Sequence, residues 1–169
     1  MNPIKKNKFS IIFNHDGYVE LAEYIEKNNF KKILILTDDN TKENCLDIFI
    51  SSLSTTNNQV SNIINSRFLY YSVKPGENSK NIETSIEVWK FLIDKGFKRS
   101  DLIINLGGGM ITDLGGFVAS TFMRGLKFVN VPTTLLGMVD ASIGGKTGID
   151  YRKIKNIIGV FEFAKIILI

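Results

Sequence analysis

The sequence predicts an α/β fold, a Rossmann-like parallel sheet flanked by helices, and three observations carry that reading. Short β-branched runs recur along the chain with helical patterns between them. One of these runs opens directly into a glycine-rich turn. The 169 residues, 44% of them hydrophobic, supply one sizeable core but not two.

Residues 33–37, 68–73, 102–106, 128–131 and 166–169 read as strands, apolar along their length as strands covered on both faces are. Residues 41–53 have the pattern of an amphipathic helix. Ile82, Ile86, Trp89, Leu92 and Ile93 fall at helical spacing, with Gly96 where a C-terminal cap belongs. Strand and helix patterns in alternation predict βαβ units. The polar stretch 51–62, with Ser54-Thr55-Thr56-Asn57-Asn58-Gln59 at its centre, reads as a surface connection. The closing run 164–169 is apolar with nothing polar after it, which predicts a chain cut short of its natural end.

Lys and Arg number 21 against 17 Asp and Glu, a net charge of +4 spread along the chain. That pattern argues against a nucleic-acid arm and leaves room for a small anion; Lys5, Lys6 and Lys8 near the start form no block. The single cysteine, Cys45, rules out an internal disulfide and suits a reducing, cytoplasmic setting. No run approaches the roughly 20 apolar residues of a membrane span, so no membrane partner is expected. One histidine, His15, with one cysteine makes no metal site, and His15 reads as a surface residue.

The chemistry concentrates at Asn105-Leu106-Gly107-Gly108-Gly109-Met110-Ile111-Thr112-Asp113, a strand, a glycine turn and a helix start. Glycines admit close backbone approach, and a helix start offers unpaired N–H groups with about half a positive charge, so a phosphate is the guest that fits. A tight strand-to-helix turn accounts for the same residues. The dinucleotide pattern G-x-G-x-x-G is not met, because its third glycine falls at Thr112. Gly145-Lys146-Thr147 ends like a P-loop, but the required first glycine falls at Asp140, so an ATPase reading fails. Asp38 and Asn40 follow a strand, where an acid meets ribose hydroxyls; helix capping by Asp39 or Asn40 explains them equally well. Pro75-Gly76-Glu77-Asn78-Ser79-Lys80 also follows a strand, or is a turn with a cap at Asn78 or Ser79.

Taken together, Val73 to Glu77 with Lys80, Gly107 to Asp113, Arg124-Gly125, Val131 to Leu136, Val139 to Gly148 and Lys155 to Gly159 resemble the 3-dehydroquinate synthase family. The resemblance implies an NAD-binding N-terminal α/β domain over residues 1–169, without the helical C-terminal domain that follows it in the family. It implies that Asp38 and Asn40 meet the adenosine ribose, and that Pro75, Gly76, Glu77, Asn78, Ser79 and Lys80 line the cofactor. Gly108, Gly109, Met110, Ile111, Thr112 and Asp113 would carry the pyrophosphate and nicotinamide side, with Thr133, Thr134, Lys146 and Lys155 completing the contacts. Asp140, Lys146, Lys155, Asn156 and Arg124 would face the sugar phosphate substrate, 3-deoxy-D-arabino-heptulosonate 7-phosphate. Zinc or cobalt is expected in the complete enzyme, on a glutamate and two histidines beyond residue 169, so the chain alone is expected to be inactive. A homodimer is expected when complete, with Arg124 reaching across its interface. The family's Tyr-Gln-Pro run is replaced here by Phe161-Glu162-Phe163-Ala164, which implies different packing near the cofactor. Sister sugar-phosphate cyclases, making 2-deoxy-scyllo-inosose or valiolone, glycerol dehydrogenase-like enzymes and a non-catalytic NAD-binding half-domain are the alternatives.

Overall fold

A computed structural model describes residues 3–6, 9–56 and 58–169; Lys8, and Asn57 of the polar run, lie outside the described residues. The strands are β1 (Ile4–Lys5), β2 (Ser10–Ile12), β3 (Ile33–Asp38), β4 (Phe68–Val73), β5 (Leu102–Gly107), β6 (Lys127–Pro132), β7 (Lys146–Tyr151), β8 (Ile154–Phe161) and β9 (Ile166–Leu168). The helices are α1 (Asn14–Asn28), α2 (Asp39–Ser54), α3 (Asn58–Arg67), α4 (Ile82–Asp94) and α5 (Gly109–Thr121). The main sheet runs β1-β2-β9-β6-β5-β3-β4, and every pairing in it is parallel except that of β1 with β2. The five strands read from the sequence are all present, within a residue of their expected ends.

β3 shows why the helices split between two faces. Leu34 and Leu36 point into one core, shared with Val88 and Leu92 of α4 and Leu114 and Val118 of α5. Ile33 and Ile35 point into the other, shared with Leu21 and Ile25 of α1 and Phe49 and Leu53 of α2. Alternation within an unbroken apolar run is what a strand covered on both sides requires. The α4 helix ends as its sequence indicates. Gly96 sits at φ +63, its N–H bonds Ile93 O at 2.8 Å and the Phe97 N–H bonds Leu92 O at 2.9 Å, a Schellman motif.

The polar stretch 51–62 is a correction: α2 continues to Ser54 and α3 begins at Asn58. Its hydroxyls turn back onto the helix, Ser54 Oγ donating to Ile50 O at 2.7 Å and Thr56 Oγ1 to Leu53 O at 2.7 Å. Buried Leu53 and Ile64 are the apolar anchors on either side of the break. No described helix is long and apolar enough to cross a membrane.

Strands β7 and β8 stand outside the main sheet as an antiparallel hairpin, in the excursion between β6 and β9. α5 carries that hairpin. A Cβ on Gly116 would lie 2.4 Å from Thr147 Cγ2, so the helix backbone and β7 meet closer than any side chain allows.

Candidate functional site

In an open parallel sheet, ligands settle outside the carboxyl ends of the strands where neighbouring connections diverge. Here β4 lies on one side of β3 and β5 on the other, so the crevice opens between Asp38 and the Gly107–Gly109 turn. The α5 helix starts there with Gly108 as its N-cap and no side-chain hydrogen bond to that cap. The Thr112 N–H is the first to close onto the helix, bonding Gly108 O at 3.1 Å, and the N–H groups of Gly109, Met110 and Ile111 precede it. A Cβ on Gly108 would sit 3.1 Å from Thr134 Cγ2, so the Thr133-Thr134 loop lies over the turn. The Thr133 N–H fixes that loop by bonding Gly107 O at 3.0 Å.

From this helix start a cleft of about 660 Å³ extends under the hairpin. It brings together Glu77, Lys80, Gly109, Met110, Asp113, Asp140, Lys146, Lys155 and Asn156, drawn from five separate stretches of chain. Leu136, Gly159 and Phe161 also line it; they fall in runs quoted from the sequence but were assigned no ligand contact there. Phe161 is 80% exposed on the cleft wall. Phe163 turns away to stack on Phe9, with ring centroids 5.3 Å apart.

Lys80 is the electrostatic centre. Its side chain is only 4% exposed, and Nζ lies 2.7 Å from Glu77 Oε1, 3.4 Å from Asp113 Oδ2 and 3.7 Å from Asp150 Oδ1. It also donates to Asn156 Oδ1 at 2.8 Å. Burial pulls the ammonium pKa down, but the hydrogen bond to Glu77 and the charges of Asp113, Glu77 and Asp150 outweigh it, so the net movement is upward. Lys146 and Lys155 are exposed, Lys155 Nζ 3.9 Å from Glu77 Oε1, and are available to a dianion.

Burial pushes the Asp113 carboxyl up to about 6; Lys80 draws it partly back, and Glu77 and Asp140 add to the rise. A folded pKa above the ordinary 3.8 means that this group's stabilising contribution is complete below about pH 4 and is lost as pH climbs through about 6. The loss is on the order of 1–3 kcal/mol. Asp113→Asn is therefore expected to melt at higher temperature than the parent at pH 8 and to flatten the pH 4–7 slope of the midpoint. Identical slopes in thermal melts of the two proteins would rule this out.

Other expected site residues lie outside the cleft. Asp38, rather than Asp39 or Asn40, caps α2: Oδ1 accepts the Thr41 N–H at 2.8 Å and the Asp38 N–H reaches Thr41 Oγ1 at 3.1 Å. Asp39 binds Ser72 Oγ and Asn40 is exposed. Pro75, Gly76, Asn78 and Ser79 form the turn before α4, whose cap is Asn81, accepting from the Thr84 N–H at 2.8 Å, rather than Asn78 or Ser79. Ile111 and Thr112 are turned into the fold, and Thr112 Oγ1 binds Gly109 O at 3.1 Å. Thr133 borders a second, apolar hollow of about 320 Å³ that also holds Cys45. Arg124 is exposed at φ +66 beyond the far end of α5, outside the cleft of its own chain. His15 is exposed. Among the described residues no three His, Cys, Asp or Glu side chains stand together as a metal site.

Comparison with known proteins places these features in a family. A family model described as 3-dehydroquinate synthase N-terminal matches residues 70–169. The 3-dehydroquinate synthase of Clostridium botulinum (strain Alaska E43 / Type E3) is 42% identical over 167 residues, covering 98% of this chain and 45% of that protein. The 3-dehydroquinate synthase of Sulfolobus acidocaldarius is 60% identical over 89 residues, 53% of this chain and 25% of that protein. Among solved structures, 2-deoxy-scyllo-inosose synthase complexed with carbaglucose-6-phosphate, NAD+ and Co2+ superposes with a TM-score of 0.83 at 19% identity. That superposition covers 99% of this chain and 44% of the other. The chain thus spans less than half the length of these relatives.

Proposed function

Since the chain belongs to the 3-dehydroquinate synthase family, matched by its N-terminal model, we propose that it is the nucleotide-binding part of an NAD- and metal-dependent 3-dehydroquinate synthase. The reaction proposed for the whole enzyme converts 3-deoxy-D-arabino-heptulosonate 7-phosphate to 3-dehydroquinate and phosphate. One observation carries this reading: within the stretch that the family model matches, a single cleft joins an uncapped glycine helix start to Asp140, Lys146, Lys155 and Asn156.

The residues present fit a dinucleotide. The Gly109, Met110 and Ile111 N–H groups at the start of α5 suit a pyrophosphate. A side chain on Gly108 would crowd Thr134 just where that group must approach. Bound NAD would supply a reversible hydride transfer at a ring alcohol, acidifying the neighbouring C–H so that phosphate can leave.

The chain's own residues do the rest. Lys146 and Lys155 bind the dianionic phosphate as point charges at the cleft mouth. Asn156 holds its carbonyl on Lys80, which leaves its amide N–H groups for a substrate hydroxyl or carbonyl. Asp140 accepts from ring hydroxyls, and Asp113, with its pKa near 6, holds or releases a proton close to neutral pH beside Lys80. The described residues do not fit a metal, and no step here passes through one. Arg124, outside its own cleft, serves the cleft of a second copy in a homodimer. An Arg124→Lys form of the complete enzyme that released phosphate at the parent rate would count against that role.

Calorimetric titration of the chain with NAD+ tests the reading, followed by assay with the heptulosonate phosphate, NAD+ and Zn2+ or Co2+. Weak NAD+ binding without dehydroquinate formation is expected. A folded chain that fails to bind NAD+ overturns the nucleotide assignment, and dehydroquinate formation overturns the inactivity of the part. Steady accumulation of NADH with a simple alcohol would instead favour a glycerol dehydrogenase-like activity.

A further inference from the structure

The hairpin carries Lys155 and Asn156, yet β8 is exposed along its whole length, so something other than core packing must hold that pair over the cleft. The turn is irregular. Arg152, Lys153 and Asn156 have φ of 47, 67 and 53, and the β7–β8 register shifts between Ile149 and Tyr151. That shift takes Asp150, the residue between them, out of the ladder. Freed from the hairpin, the Asp150 N–H donates to Lys80 O at 2.8 Å. Its Oδ1 accepts the Asn156 N–H at 2.8 Å. Lys80 closes the ring by donating to Asn156 Oδ1 at 2.8 Å.

We propose that Asp150 is a positioning residue for the proposed reaction: by accepting the Asn156 N–H, it sets the left-handed backbone that aims Asn156 at Lys80 and holds Lys155 at the cleft mouth. The proposal rests on the nucleotide and sugar-phosphate reading of this cleft. The ring ties the turn after β4 to both strands of the hairpin, at the bulge where Lys155, Asn156 and Ile157 of β8 stand opposite the single residue Asp150 of β7. The bond to Asn156 calls for an acceptor at residue 150 and not for a charge, since the Asp150–Lys80 contact, at 3.7 Å, is the longest of the four polar contacts of Lys80 Nζ. An asparagine there can keep the acceptor; an alanine cannot.

The test compares the full chain with its Asp150→Ala and Asp150→Asn forms. Amide hydrogen exchange at Asn156, followed by NMR without ligand, reads the geometry, and calorimetric titration with NAD+ reads the site. Asp150→Ala is expected to speed Asn156 exchange by about tenfold or more and to weaken NAD+ binding about tenfold. Asp150→Asn should stay within about threefold of the parent in both, a rescue that general destabilisation does not give. Parent-like exchange and affinity in Asp150→Ala would overturn the proposal. Damage from Asp150→Asn equal to that from Asp150→Ala would also overturn it, because charge would then be what matters. Should Asp150→Ala fail to fold, exchange in the parent decides: an Asn156 amide as fast as an exposed turn amide refutes the bond, and a protected one supports it. If the parent shows a protected Asn156 but binds no NAD+, the positioning geometry stands and the nucleotide reading alone fails.

Discussion

Lys80→Met should be the most damaging single charge change in the chain, costing about 3–5 kcal/mol. Methionine keeps much of the side-chain volume but leaves Glu77, Asp113 and Asp150 facing one another around a site where the cation is 4% exposed. Removing one partner of a buried ion cluster costs more than the cluster contributes, because Asp113 and Asp150, each 19% exposed, are left with little water and without Lys80, while only Glu77 keeps a second cation, Lys155 at 3.9 Å. The pH dependence identifies the cause. Without Lys80, Asp113 loses the main influence that lowers its pKa, so the damage should be greatest near pH 8 and partly relieved near pH 5, where Asp113 takes up a proton. The double variant Lys80→Met with Asp113→Asn should regain part of the loss. Thermal melts at the two pH values check this, and equal damage at both would show that lost packing, not charge, is responsible.

Gly159→Ala is the second large effect, and it is steric. Gly159 pairs with Gly148 across the hairpin, and a Cβ on it would lie 2.2 Å from the Thr147 carbonyl oxygen and 3.1 Å from Gly148 Cα. Both obstacles are backbone, so no side chain can swing aside and the strands must part. A cost of about 2–4 kcal/mol is expected, concentrated in the hairpin. Hydrogen exchange should show β7 and β8 deprotected while β3, β5 and β6 stay slow. Uniform loss of protection across the main sheet would contradict this picture.

The central strands were legible because burial on both faces writes a continuous apolar run into the sequence, as in 33–37 and 102–106. The glycine turn was legible because its residues are short and consecutive, and the structure puts an uncapped helix start where they end. Other parts left weaker traces. The α1 helix begins at Asn14 in a left-handed conformation, with no side-chain cap, and its buried stripe includes Gly17, pressed against Leu168. α3 is written in Asn, Ser and Gln, residues whose local bonding favours turns, and its helical state is held by tertiary contacts such as those of Ile64. The hairpin was the hardest to read, since an exposed strand has no alternation to show. Within the cleft, the glycine, lysine and aspartate residues could be picked out singly. Asp150 could not, because its role comes from a bulge that only the pairing register reveals.

The sheet order also governs how the molecule comes into being. β2, near the start of the chain, finds its parallel partner in β9, Ser10 opposite Ile166, and β9 in turn pairs with β6. During synthesis, then, β3, β4, β5 and β6 can associate while β2 waits with one edge unmatched, and the apolar edge of β6 stays open until residues 166–168 have left the ribosome. A pairing so distant along the chain closes late and slowly. In that interval the half-built sheet presents an open edge of the kind that recruits other chains.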